Sequence, residues 1–127
     1  MKYELLALKQ ELKEELTHNI LPFWMDKMTD EEQDGFYGQM TGENLLVTDA
    51  PKGGILNARI LWSFSSAALH LKNPLYIEFA RRAKDYALQY FFDKTNGGTY
   101  WLLNADGTAL DTKKQIYMFR QASRIVY

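Results

Sequence analysis

The sequence predicts a mainly α-helical protein built from a repeated unit of helix, hairpin and helix. Three segments carry apolar residues at helical spacing, and glycine-rich, aromatic stretches interrupt them. The stretch at 97–100 echoes the one at 34–37 about 63 positions later. Units of this kind cannot bury their apolar faces alone, and about three are normally needed for a stable repeat assembly. The chain therefore holds two units, the second of them incomplete.

The first helix is predicted over residues 2–20, and Pro22 is expected to end it. Its apolar stripe consists of leucines spaced three or four residues apart, namely Leu5, Leu8, Leu12 and Leu16. Residues 34–50 combine short apolar pairs with glycines, which favours a small hairpin or an irregular loop over a helix.

The second helix is predicted over residues 53–71, with apolar residues around most of its surface, so it should be buried on more than one side. Asn73 and Pro74 favour the start of a third helix over residues 74–93. The expected buried stripe of that helix is Ile77, Ala80, Ala83, Ala87 and Tyr90. Turns at 96–98 and 105–108 should flank a short strand at 100–103, and another helix should begin at Thr112.

Composition excludes several classes of function. Fifteen basic and sixteen acidic residues give a net charge of −1, so binding to nucleic acid or an anionic membrane is not expected. The chain has no cysteine, which removes disulfide and thiolate chemistry. The N-terminus has no apolar signal-peptide stretch, and no window is long and apolar enough to span a bilayer. We therefore expect a cytoplasmic protein.

Four short blocks of the sequence match a known protein family in order and spacing. The blocks are NILPFW at 19–24, DGFYG at 34–38, KGGILNARILW at 52–62 and GGTYW at 97–101. Together they resemble the N-terminal part of the N-acylglucosamine 2-epimerase and cellobiose 2-epimerase family, with cellobiose 2-epimerases the closer group. The resemblance extends over residues 19–118.

The resemblance implies a mainly α fold, the N-terminal part of an (α/α)6 barrel whose helical hairpins carry short β-hairpin loops. In that family a sugar ring opens, one histidine removes the C2 proton, and a second returns a proton to the opposite face through an enediolate. An arginine at the position of Arg59 contacts the sugar oxygens near C1 and C2. The tyrosine at the position of Tyr117 lies in the same cleft.

Arg59 also stands out without the resemblance, because it is a charge on a predicted helix of mostly apolar residues. A buried, unpaired charge costs several kcal/mol, so Arg59 needs an ionic partner or a water-filled cleft. Its guanidinium fork suits the two adjacent oxygens of an enediolate better than a point charge would. The alternative is a structural salt bridge with an acid such as Asp49 or Asp111.

His18 and His70 are the only imidazoles, so a two-histidine proton relay within this chain would need both. Each lies near the end of a predicted helix, where a partly cationic ring interacts favourably with the helix dipole. Neither falls in a block that matches the catalytic histidines of the family. We therefore expect neither to be catalytic.

Aromatic side chains can stack on sugars, although core packing is their commoner use. We expect Trp24 and Trp62 in the core, whereas Trp101 and Tyr117 are candidate substrate-binding residues. The acidic run at 30–32 is typical of a solvated loop or a helix N-terminus. No set of residues has metal-ligand spacing, and there is no phosphate loop or nucleophile elbow, so neither a metal nor another cofactor is expected.

The last residues depart from the family pattern, because the apolar face expected of the fourth helix is interrupted after Met118. Codons for residues 118–122 read two nucleotides later can restore that pattern, which favours a frameshifted and prematurely stopped reading frame. We therefore expect residues 1–127 to be the N-terminal segment of a single (α/α)6-barrel epimerase domain, truncated, with an off-pattern tail at about 119–127.

The leading functional hypothesis is an isomerase that acts at C2 of a reducing-end sugar. Cellobiose or a related β-1,4-linked disaccharide ranks ahead of N-acylglucosamine and mannose as substrate. The chain alone is expected to be inactive and to self-associate through exposed helical faces. The rival hypothesis is a non-catalytic carbohydrate-binding or helical interaction module.

Overall fold

A computed structural model describes residues 1–117 of the chain, so the predicted tail at 119–127 and most of the fourth helix lie outside the described residues. The helices are α1 (Lys2–Glu15), α2 (Leu21–Lys27), α3 (Gly54–Leu71) and α4 (Pro74–Tyr86). The strands β1 (Lys52–Gly53), β2 (Leu102–Leu103) and β3 (Ala109–Asp111) form an antiparallel sheet in that order. None of the helices in the described range is long and apolar enough to cross a membrane.

The first helix does not end at Pro22 as predicted. A π-helical turn, Leu16–Ile20, joins α1 to α2, and Pro22 lies in the first turn of α2. The backbone N–H of Leu21 donates to the carbonyl of Leu16, five residues earlier. This wider turn changes the hydrogen-bond register just before the proline, so a residue without an N–H is accommodated and the helix continues to Lys27.

The N-terminal helix lies apart from the core of the described chain. None of its residues is buried, and its stripe of Leu5, Leu8 and Leu12 is between 49% and 62% exposed. A 14-residue helix of this kind is marginal in isolation, because helices draw most of their stability from tertiary packing. The stripe is therefore an apolar surface that residues 1–117 leave uncovered.

The core lies between α3 and α4, which form an antiparallel hairpin against α2 and the first loop. Its buried residues include Leu21, Phe36, Ile60, Phe64, Tyr76 and Ala83. The predicted bounds of α3 are confirmed to within one residue, and the Asn73 side chain caps α4 by accepting from the N–H of Leu75 at 3.0 Å. Turns form at 94–98 and 105–108, close to the predicted 96–98 and 105–108. The prediction that the next helix begins at Thr112 is wrong, because residues 112–115 form neither helix nor strand and the helix begins at residue 116.

Two burial predictions are wrong, those for Ile77 and Trp62. Ile77 is 48% exposed because the buried stripe of α4 runs instead through Tyr76, Ala80, Ala83 and Tyr86. Trp62 was expected in the core but is 57% exposed, and Leu69 is 76% exposed on α3. Within the described residues α3 therefore buries one broad face and leaves a second apolar face open.

The predicted repeat is confirmed by backbone hydrogen bonds that recur at an offset of 63 residues. In each unit a helix is followed by a turn that contains a glycine with positive φ. The backbone on the two sides of the turn is joined by a ladder of two hydrogen bonds. The bonds are Asp30 N–H to Gly35 O and Tyr37 N–H to Met28 O in the first unit, and Asp93 N–H to Gly98 O and Tyr100 N–H to Phe91 O in the second.

An aspartate in each ladder binds a lysine from further along the chain. The Nζ of Lys52 lies 2.8 Å from Oδ2 of Asp30, and both side chains are fully buried. The Nζ of Lys114 lies 2.9 Å from Oδ2 of Asp93. The expectation that residues 30–32 form a solvated run is therefore wrong for Asp30, because Lys52 provides a counter-charge inside the fold.

Candidate active site

Arg59 lies on the open face of α3 and its side chain is exposed. Trp62, three residues later on the helix, is exposed beside it. Within residues 1–117 no salt bridge joins Arg59 to Asp49 or Asp111, the partners that a structural role would use. The Asp111 carboxylate is paired with Lys113 instead, with Oδ2 3.4 Å from the lysine Nζ. The guanidinium is therefore accessible to a ligand.

Tyr117 meets Arg59 from a segment 58 residues later in the sequence. The Arg59 Nη2 group donates a long hydrogen bond of 3.4 Å to the Tyr117 hydroxyl oxygen. The Tyr117 side chain is 47% exposed, at the start of the helix that begins at residue 116. A neutral acceptor of this kind orients the guanidinium and leaves its positive charge intact.

Trp101 is linked to this region through its backbone. Its carbonyl accepts the N–H of Gly54, the first residue of α3, at 3.0 Å, and its N–H donates to the Asp111 carbonyl at 2.9 Å. The half-buried ring has Lys113 above it, with Nζ 5.2 Å from the ring centroid. Among the described residues the structure thus joins Arg59 with Tyr117 directly, whereas Trp101 anchors the start of the helix that carries Arg59.

His70 lies away from the pair formed by Arg59 and Tyr117. His70 is in the last turn of α3, eleven residues beyond Arg59, which corresponds to a rise of about 16 Å. His18 lies in the π-helical turn between α1 and α2, and both side chains are exposed. His70 is therefore not placed to exchange a proton with a group bound at Arg59.

An apolar groove of about 500 Å³ runs between α3 and the helix formed by α1 and α2. Arg59 and His70 lie along it, and its apolar walls include Leu16, Ile20, Trp24, Leu56, Ile60 and Leu71. The sequence did not indicate this groove. A surface of this size and polarity suits a packed helix or another apolar partner better than a polar sugar.

A second, more polar cavity of about 390 Å³ lies beside the first ladder, with Asp30, Tyr37, Asp49 and Asp106 among its lining residues. Burial raises the pKa of Tyr37, and the nearby carboxylate of Asp30 raises it further. The Thr108 hydroxyl donates to Asp106 and lowers the pKa of that carboxyl. No group of three His, Cys, Asp or Glu residues in the described range could hold a metal ion.

Sequence reasoning missed Asp93 and Lys114. Asp93 is 7% exposed, and the N–H of Asn96 and the Lys114 ammonium are the main groups that hold its pKa well below the usual range. The signal was present, because the offset of 63 residues that relates the glycine-aromatic stretches also relates Asp30 to Asp93. Predicting that either aspartate is buried would have required knowledge of its lysine partner.

Comparison with known proteins identifies the group to which this architecture is related. No family profile matches the chain. The chain is 54% identical over 110 residues to the cellobiose 2-epimerase of Bacteroides fragilis, covering 87% of this chain and 28% of that protein. It is 42% identical over 104 residues to the cellobiose 2-epimerase of Eubacterium cellulosolvens, covering 81% of this chain and 25% of that protein. The chain thus spans less than a third of the length of these relatives.

Solved structures agree with the sequence relatives. The cellobiose 2-epimerase of Spirochaeta thermophila superposes with a TM-score of 0.90 at 36% identity, over 97% of this chain and 30% of that one. The enzyme of Bacillus thermoamylovorans gives a TM-score of 0.88 at 36% identity, over 91% and 29% of the two chains. The predicted fold class is confirmed. The chain is a homologue of the cellobiose 2-epimerases and corresponds to an N-terminal portion of their (α/α)6 barrel.

Proposed function

We propose that this chain forms the first part of the active site of a sugar 2-epimerase. The reaction would interconvert the glucose and mannose configurations at C2 of a reducing-end sugar, with cellobiose or a related β-1,4-linked disaccharide as substrate. The observation that carries the proposal is the contact of Arg59 with Tyr117, because it sets an accessible guanidinium beside a neutral hydroxyl in a chain homologous to cellobiose 2-epimerases.

Arg59 is the proposed catalytic residue. A base removes the C2 proton of the neutral open-chain aldehyde and gives a singly charged enediolate, whose negative charge develops on O1 beside the O2 hydroxyl. A guanidinium fork can donate to both O1 and O2, and it binds O1 more strongly as the charge develops there. Tyr117 would hold the fork in position and contact the sugar, and Trp101 would line the cleft as a substrate-binding residue.

The chain alone is proposed to be inactive. Epimerisation requires a base and an acid on opposite faces of C2. His70 lies eleven residues from Arg59 along α3, and neither His18 nor His70 falls in a block that matches the catalytic histidines of the family. We propose that the chain belongs to a single barrel domain, that this domain works without a cofactor, and that the protein is cytoplasmic. N-acylglucosamine and mannose are the next substrates to test.

A chimeric protein tests the proposal. Residues 1–117 of this chain, joined to the remaining part of the Bacteroides fragilis relative, should epimerise cellobiose because the two sequences are 54% identical over 110 residues. Arg59→Ala in the chimera should lower kcat at least about a hundredfold, and Arg59→Lys should recover only part. Arg81→Ala, an exposed arginine on α4, is the matched control. Normal turnover by a folded Arg59→Ala chimera would remove Arg59 from the site.

One observation favours a second candidate, a non-catalytic helical interaction module that can also bind sugar. The leucine stripe of α1 and the apolar groove are both uncovered in the described chain, and we propose that the chain self-associates through them. Sedimentation velocity should show oligomers that the Leu8→Glu/Leu12→Glu variant reduces. A strictly monomeric parent chain with a sharp cooperative melt would contradict this candidate.

A further inference from the structure

Lys114 is fixed at a point three residues before Tyr117. Its ammonium donates to Oδ2 of Asp93 at 2.9 Å and lies 4.3 Å from the centroid of the Tyr100 ring. The other Asp93 oxygen accepts the backbone N–H groups of Thr95 and Asn96, both at 3.0 Å. The carboxylate is thus held rigidly by its own turn, so it gives the lysine a fixed partner.

The same arrangement precedes Arg59. Lys52 binds Asp30 at 2.8 Å, and α3 begins two residues later at Gly54. The Asp30 Oδ1 atom accepts the N–H groups of the two residues Glu32 and Gln33, as Asp93 does in its turn. Both segments that carry the contacting pair, Arg59 and Tyr117, therefore start at a lysine anchored to an aspartate of the preceding turn.

Between β3 and the helix that starts at residue 116, residues 112–115 form neither helix nor strand. The neighbouring Lys113 is directed to the surface, where it lies 3.4 Å from Asp111 with its own side chain 51% exposed. Lys114 instead binds a carboxylate whose side chain is only 6% exposed. Lys114 therefore attaches this segment to a buried group of the fold, whereas the contacts of Lys113 lie at the surface.

We infer that Asp93 and Lys114 form a positioning pair that keeps Tyr117 within hydrogen-bond reach of Arg59. A contact of 3.4 Å is lost with a displacement of about 1 Å, and four irregular residues allow larger displacements unless they are anchored. The role of the pair in catalysis rests on the proposed function. The positioning of Tyr117 by the pair does not depend on that function, so it can be tested in the absence of sugar.

The absence of cysteine makes a distance measurement direct. The Arg59→Cys/Tyr117→Cys variant of the 127-residue chain carries two nitroxide labels, and the dipolar broadening of its frozen continuous-wave electron paramagnetic resonance spectrum gives the distribution of the short distances between them. We expect one narrow distribution. Adding Lys114→Ala should at least double its width, adding Lys114→Arg should keep it narrow, and adding Lys113→Ala should leave it unchanged.

An unchanged distribution in the Lys114→Ala protein overturns the inference. Equal broadening by Lys113→Ala also overturns it, because any loss of charge would then loosen the segment. If Lys114→Ala prevents folding, as judged by circular dichroism, Asp93→Asn provides the same reading, since an asparagine oxygen still accepts the turn N–H groups while the charge is lost. The two proposals can fail separately. If the chimera is inactive but the labelled chain shows a narrow distance distribution that depends on Lys114, the proposed function is refuted and the positioning pair stands.

Discussion

Loss of the Asp30 charge should destabilise the chain strongly. Asp30→Asn keeps the shape of the side chain and an oxygen that can accept the N–H groups of Glu32 and Gln33. It removes the counter-charge of Lys52, whose side chain has no solvent exposure. Lys52 retains the carbonyl of Asp34 at 2.7 Å, but a neutral acceptor does not balance a buried ammonium.

The magnitude follows from the burial of the pair. Removal of one partner from a buried ion pair costs about 3–5 kcal/mol of unfolding free energy. Asparagine and the Asp34 carbonyl preserve part of the hydrogen bonding, so we expect the lower limit, about 3 kcal/mol, or a factor of more than about 100 in the folding equilibrium. Asp93→Asn should cost less, because Lys114 is 30% exposed and can reach water.

Urea unfolding followed by circular dichroism measures these differences. The double variant Asp30→Asn/Lys52→Met should recover most of the lost stability, since an apolar side chain of similar length replaces the unpaired charge. If Asp30→Asn costs no more than Asp93→Asn, the burial argument is wrong. If the double variant stays as unstable as the single one, the cause is not the charge of Lys52.

Three further predictions concern other parts of the chain. Arg59→Ala should change the unfolding free energy of the chain by less than about 0.5 kcal/mol, because the side chain is exposed; a large loss in thermal melting would instead indicate a structural role. The folded-state pKa of Asp93 is depressed, so the stability it contributes is present above its unfolded pKa of about 3.9 and is lost as the pH falls towards the folded value. In thermal melts at pH values from 7 downwards, the melting temperature of Asp93→Asn should therefore fall less steeply below about pH 4 than that of the parent chain. Equal slopes for the two proteins would contradict this. Gly107→Ala should destabilise by about 1–3 kcal/mol, because φ is 90° and a Cβ atom would lie 2.7 Å from the Tyr90 ring, whereas Gly42→Ala has open space and should be near neutral in the same melts.

Periodicity and local capping predicted the helices well where local interactions decide the structure. The bounds of α3 and the Asn73 cap follow from apolar spacing and from a side chain that accepts a nearby N–H. Pro22 was misjudged because a π-helical turn depends on a five-residue hydrogen bond, for which the sequence has no clear signal. Tyr76, one position from Ile77, is buried in its place because tertiary packing sets the rotation of α4.

The candidate site was predicted only in part. Tyr117 was named from the family resemblance, and Arg59 both from the resemblance and from its position on an apolar helix, but their contact depends on how two segments 58 residues apart are brought together. The buried Asp30 was read as solvated because its partner, Lys52, lies 22 residues later on a different element. Local pattern cannot show which charge of an acidic run a distant lysine will neutralise.

The two aspartate–lysine pairs have a consequence for folding order. Each spans a short stretch of sequence, 22 residues for Asp30 with Lys52 and 21 residues for Asp93 with Lys114. Loops of this length close with a small entropy cost, so each unit can form before distant parts of the chain meet. Native-state amide exchange should then reveal two cooperative blocks with different protection, and the block around the fully buried Asp30 should open last.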